Sequence, residues 1–243
     1  MTNIIKAEFL KQKKTFGGWL VWIAPLVTLL MAFALTLGMT KCYAESAWNW
    51  WYTLLLPGML AILSYLNISK EKKVRYFNQT TLAEDRKKLM LGKIIFISLV
   101  MLCANALIFA GATLGGALLG TDVPAGGAAL AVLLLTAAYL WEIPLYLFLS
   151  ARFGMVCSLL VCVAITVAGV LTAPTKFWPA IATAAPVRIM CPVLHIMPNG
   201  LKVEAGSSFL SMGVIVPGIL ICLVWFALFT FLFLKWFDKT EVK

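Results

Sequence analysis

The sequence is poor in charge and poorer still in catalytic side chains. Only 12% of its 243 residues are Asp, Glu, Lys or Arg, about half the share carried by a soluble domain. It has one histidine, His195, in a proline-rich stretch that reads as ordinary loop. No H-E-x-x-H and no G-x-S-x-G occurs, which removes the helical zinc-protease site and the nucleophile elbow. No G-x-x-x-x-G-K-[ST] occurs, so the chain has no P-loop with which to hold a nucleotide. The six cysteines include no C-x-x-C pair and no Cys/His spacing suited to a metal. These absences argue against an enzyme. They leave no catalytic residue, metal ligand or cofactor site to assign in this chain.

Apolar residues are what remain. The chain is 62% hydrophobic with a mean hydropathy of +0.95. Six stretches, about 18–40, 50–69, 93–119, 127–149, 154–174 and 211–234, approach the ~20 residues that a helix needs to cross a bilayer. The expected fold is an all-α polytopic membrane protein with a single transmembrane domain over residues 1–243. The first stretch is too long for a signal-peptide core and no A-x-A site follows, so it reads as a retained span. The net charge of +10 sits in the short segments between spans. Anionic lipid headgroups and membrane insertion account for it better than nucleic acid does.

Charge also sets the expected orientation. With the N-terminus in the cytoplasm, Lys41, Lys176, Arg188 and Lys202 lie outside, and the other sixteen of the twenty basic residues lie inside. This satisfies the positive-inside rule and puts both termini in the cytoplasm. Trp48, Trp50, Trp51 and Tyr52 then mark the outer interface, where amphipathic rings gather. In residues 1–17, Ile5, Phe9 and Phe16 lie near one helical face. This suggests a short helix in the inner interface, with Gly17 and Gly18 as an elbow.

The stretch 70–92, "KEKKVRYFNQTTLAEDRKKLMLG", is the longest charged segment. Thr81 and Glu84 form a capping-box pattern. Glu84 and Asp85 sit at the positive end of the dipole, and Arg86, Lys87 and Lys88 follow. A short charged cytoplasmic helix is expected. Two readings stand: a docking helix that passes force from a partner, or a solvated positive-inside loop. Glu142, in "YLWEIPLYLFL", falls within the fourth span, where a carboxylate costs ~2.5 kcal/mol or more to insert. Pro144 interrupts the helix beside it. Glu142 reads as a substrate or gating contact, or as a buried polar brace or a protonated side chain. The prolines of 175–210 break that outer loop into short helices expected at the outer surface. Cys42 and Cys191 are the two cysteines placed outside, and a disulfide between them stays open.

The stretches "AEFLKQKKTFGGWLVWIAPL", "WNWWYTLLLPGMLAIL" and "LWEIPLYLFLS" resemble the E-type permease subunit of lantibiotic self-protection transporters. That subunit belongs to the type-2 permeases of ABC exporters. The resemblance covers nearly the whole chain and is strongest around "NWWYTLLLPGM". It implies six spans behind an N-terminal elbow helix. It also implies partners: ATPase subunits that carry ATP and Mg, and a second related permease subunit beside the membrane lipid. The substrate would be a lantibiotic, an amphipathic antimicrobial peptide. The setting would be the plasma membrane of a bacterium, Gram-positive by family. The segment Thr81–Lys88 would couple to the ATPase. Pro57 and Gly58 would loosen a moving second span and, with Glu142 and Pro144, mark the substrate path or gate. Trp48, Trp50, Trp51 and Trp178 would meet peptide at the outer interface. A type-2 permease for another amphipathic cargo or a sensory complex is one alternative. A channel or structural membrane subunit with no ATPase is the other.

Overall fold

Lys-rich ends and apolar middles dictate the order of elements. Helix α1 (Thr2–Gln12) is followed by α2 (Phe16–Leu35). Helix α3 (Tyr43–Trp50) passes through a π turn, Trp51–Leu55, into α4 (Leu56–Lys73) without a break. Then come α5 (Arg86–Leu119), α6 (Ala125–Tyr139), α7 (Glu142–Arg152), α8 (Met155–Thr172), α9 (Ala185–Leu194) and α10 (Ile215–Lys239). The computed structural model describes residues 1–37, 42–73, 86–121 and 123–239. Among these, the only β pairing is an isolated bridge between Ile196 and Lys202. Five helical segments are long and apolar enough to cross a membrane, and six if α6 and α7, bent by 44°, count as one span. The protein is therefore a helical bundle of membrane-crossing segments.

Helix α4 and its lead-in sit at the centre. In its apolar window 56% of the residues are buried, against 17% for α8 and 11% for the last span. So α4 is the hub, with α7 and α8 packed against it, and the faces of α8 and α10 are left to the surroundings. The π turn has a local cause. Pro57 has no N–H for the carbonyl one turn back and its ring crowds that turn, so the backbone widens just before it.

At the elbow, the chain turns at Lys14, which takes a left-handed φ of 61°, rather than at the two glycines. Gly17 and Gly18 belong to the first turn of α2. They are small for another reason: a Cβ on Gly18 would lie 2.4 Å from the Gln12 carbonyl oxygen.

Three other expectations are revised. Trp48, Trp51 and Tyr52 do not present rings to the surroundings. They are 1%, 0% and 0% exposed, because α3 packs between α2 and α5 and the π turn packs on α2. The 185–194 segment does not lie on the surface. All ten residues of α9 are buried, wedged against α6 and α10. Its approach to α6 depends on Gly127, where a Cβ would sit 2.1 Å from the Val193 carbonyl oxygen. Even Arg188 is folded in, its guanidinium 4.1 Å from the Phe209 ring centre and its Nη2 donating to the Ser208 carbonyl at 3.3 Å. Third, Arg86, Lys87 and Lys88 form the first turn of the long helix α5 and not part of a separate short helix. Thr81, Glu84 and Asp85 lie outside the described residues.

Candidate functional site

Two polar constellations are built into this apolar bundle. The first ties together the lysine-rich ends of three helices. Lys93 on α5 is 1% exposed. Its Nζ donates to both oxygens of Glu8 on α1 at 3.0 Å and to Oε1 of Glu71 on α4 at 2.9 Å. Lys11 donates to the same two carboxylates at 2.8 Å. Burial works against the charge on Lys11, but Glu71 and Glu8 outweigh it and raise its pKa above the ordinary lysine value. Around this core, Gln12 donates to Asn67 at 3.0 Å. Lys70 donates to the Lys11 carbonyl at 2.7 Å and to Gln12 Oε1 at 2.6 Å.

The geometry explains the sequence. Glu8 and Lys11 stand three apart on α1 and so share a face. Asn67, Lys70 and Glu71 share one face of α4 for the same reason. Two acids and two lysines cancel, which is what permits burial. A buried ion pair adds little net stability compared with apolar packing, but removing one partner is severe. The cluster therefore fixes which helix faces meet. Its mechanical consequence is direct: the stretch 74–85 joins α4 to α5, and the cluster clamps α4, α5 and α1 to one another beside that junction. None of Glu8, Glu71 or Lys93 stands out as a site from sequence reasoning alone. A signal exists, however: Glu8 is the only acid in residues 1–17.

The second constellation surrounds Glu142. Helix α6 stops at Tyr139 and α7 restarts at Glu142. Pro144 fixes the restart, since a proline in the first turn of a helix gives up only an N–H that has no intrahelical acceptor there. Glu142 is 3% exposed, and its Oε2 meets no hydrogen-bond partner. Nor does the Trp141 indole N–H, while the Tyr146 hydroxyl lies within reach of Glu142 and of Cys162. The Trp141 ring stacks on Phe229 of α10 at 5.9 Å. Glu142 and Pro144 thus occupy one structural joint, as neighbours in sequence must.

The remaining candidate residues are spread through the fold. Pro57 is buried in α4, and Gly58 opens onto a groove of about 360 Å³ between α2, α4 and α8. A Cβ on Gly58 would touch nothing within 4 Å. Trp50 and Trp178 are half-buried. Trp51 is held by a buried polar chain: its Nε1 donates to Asn105 at 2.8 Å, and Asn105 donates to Thr136 at 2.9 Å. Lys87 reaches Asp238 of α10 at 3.2 Å, both about half exposed, while Lys88 is exposed. Cys42 and Cys191 are free thiols, the first exposed and the second buried in α9. Among the described residues, no cluster of His, Cys, Asp and Glu is suited to a metal.

No family model, curated protein or solved structure matches this chain.

Proposed function

We propose that this chain is the membrane-spanning permease subunit of an ABC exporter that moves a lantibiotic from the cell membrane to the outside, giving resistance to it. The resemblance of "WNWWYTLLLPGMLAIL" and its companion stretches carries the reading. The clamp on α1, α4 and α5 supports it mechanically. A permease driven by a partner ATPase needs a cytoplasmic contact from which force spreads into several helices. Residues 74–88 lead from one clamped helix into another, and Arg86, Lys87 and Lys88 present the basic side of that contact. In this reading the lysine-rich end is cytoplasmic, the cell is a Gram-positive bacterium, and ATP and Mg belong to the partner. A second permease subunit would cover the outward faces of α8 or α10. Trp50 and Trp178 are the rings available to peptide, with cation–π contacts worth ~0.5–2 kcal/mol. Trp48 and Trp51 are framework.

The test is purification from native membranes in mild detergent with identification of the bound subunits. A P-loop ATPase is the expected companion. Expression with its partners in a sensitive host should raise resistance to one lantibiotic and lower the peptide retained on cells, and an ATPase-dead partner should abolish both effects. Resistance that survives the dead ATPase would make sequestration the better reading. Isolation without any ATPase would favour a channel or structural subunit. Assembly with an ATPase but indifference to every lantibiotic would leave an exporter of another amphipathic cargo.

A further inference from the structure

Glu142 does not stand alone on α7. Tyr146 and Ser150 follow at steps of four residues, so the three side chains share one helical face. Glu142 Oε2 and Ser150 Oγ are buried with no partner, and the Tyr146 hydroxyl between them lies within reach of Glu142 and of Cys162 on α8. Ser64 on α4 and Ser158 on α8, two of the helices packed against α7, add further unpartnered buried hydroxyls. Buried polar groups nearly always find partners, and in a polar, enclosed site the missing partner is water. At the Ser150 end, Lys72 Nζ donates to the Ser150 carbonyl at 3.4 Å, which joins this file of hydroxyls to the lysine-rich end of the bundle.

The inner end of the file is a carboxyl with no cation. Among the described residues, the titratable groups whose surroundings include Glu142 are Tyr146 on α7, Tyr139 on α6, Cys162 on α8 and Cys222 on α10. Tyr139 in turn donates to the Tyr52 carbonyl in the π turn. All of these are neutral acids. On α4, Glu71 and Lys72 lie towards the Ser150 end, and Lys93 of α5 is committed to Glu8 and Glu71. An intramembrane carboxylate held without a counter-charge takes up a proton to shed its charge.

We propose that Glu142 is a proton-binding site, reached from the lysine-rich end through the hydroxyl file of Tyr146 and Ser150, and placed at the α6–α7 joint so that its charge state acts on the bend. The reaction is simple: a proton from water converts the carboxylate to the neutral acid, and nothing is oxidised or reduced. Neutral Glu142 sits comfortably beside Trp141 and Phe229. Ionised Glu142 draws water into the joint. The proposal holds for the chain whether or not it serves an ABC exporter.

The test uses the full chain in lipid nanodiscs. Infrared spectra are recorded across a pH titration, in the region where protonated carboxyls absorb. The expected result is a band that is present at neutral pH, fades as pH rises, and is missing in Glu142→Gln. Tyr146→Phe combined with Ser150→Ala should keep the band and slow its exchange in heavy water several-fold. A spectrum with no such band, or one unchanged in Glu142→Gln, overturns the proposal. A Glu142 band that neither titrates nor exchanges makes the residue a permanently neutral brace and overturns it as well. If Glu142→Gln does not assemble, labelling of the unaltered chain by dicyclohexylcarbodiimide replaces it, read by mass spectrometry. Labelling at Glu142 that falls as pH rises supports a titrating site; labelling that is absent or independent of pH overturns it.

Discussion

Lys93 places one ammonium between two carboxylates with 1% of its side chain exposed. Lys93→Ala leaves Glu8 and Glu71 facing each other, with the partly exposed Lys11 between them. Breaking a buried pair in this way costs ~3–5 kcal/mol, so the detergent-solubilised protein should melt at a clearly lower temperature and α1 should become open to protease. Converting Glu8 and Glu71 to Gln and Lys93 to Met together removes the charge conflict and should restore much of the loss. Unchanged melting in Lys93→Ala would show that the clamp does not hold α1. Trp51 gives a second contrast. Trp51→Phe strips a hydrogen bond from the buried Asn105, at ~1–3 kcal/mol for the orphaned group. Trp50→Phe should change stability far less. Equal losses from the two would contradict the buried position of Trp51.

At the scale of elements, neighbouring glycines separate packing from backbone propensity. A Cβ on Gly127 would lie 2.1 Å from the Val193 carbonyl oxygen, whereas one on Gly126 would meet nothing within 4 Å. Gly127→Ala should therefore push α9 off α6 and lower stability, and Gly126→Ala should be neutral or slightly stabilising. Protease resistance of the 195–211 region reports the difference. Gly58→Ala is the converse case. It has room, and alanine in a helix interior is favoured over glycine by ~0.5–1 kcal/mol, so the protein should become more stable. If α4 must flex beneath its π turn, transport should fall at the same time. A rise in both stability and transport would free Gly58 from any role in bending. The existence of the long helices was legible from apolar length alone, since a run of twenty such residues has few other fates. The placement of α9 was not. A mostly apolar ten-residue segment with two prolines looks the same on a surface as inside a bundle, and the room for it comes from Gly127 on α6 and Gly218 on α10, both distant in sequence. Lys93 was equally opaque, because its partners lie 85 and 22 residues away and no local period connects them.

For the whole molecule, the question is whether force enters through residues 74–88. Reversing Arg86, Lys87 and Lys88 to Glu should leave the chain in the membrane but weaken ATPase binding, or uncouple hydrolysis from export. The exposed pair between Lys87 and Asp238 contributes little, in the range of ~0–1 kcal/mol, so folding should survive. Charge reversal near a span can also disturb topology. In a cysteine-free background, a single cysteine at Lys202 should react with an impermeant maleimide in whole cells, and one at Lys239 should not, with and without the charge reversal. Normal assembly and export in a correctly inserted variant would return this stretch to the role of a solvated loop.

The wedging of α9 also bears on how the protein is made. Residues 185–194 leave the ribosome before α10 exists, yet α10 forms one wall of their pocket. Until residues 215–239 have entered the membrane, α9 has α6 and lighter contacts with the π turn, α8 and Trp178–Ala180, but lacks the wall that α10 supplies. Its docking is therefore a late event of biogenesis. A nascent chain arrested before residue 215 should display this segment to quality-control proteases, and the finished chain should hide it.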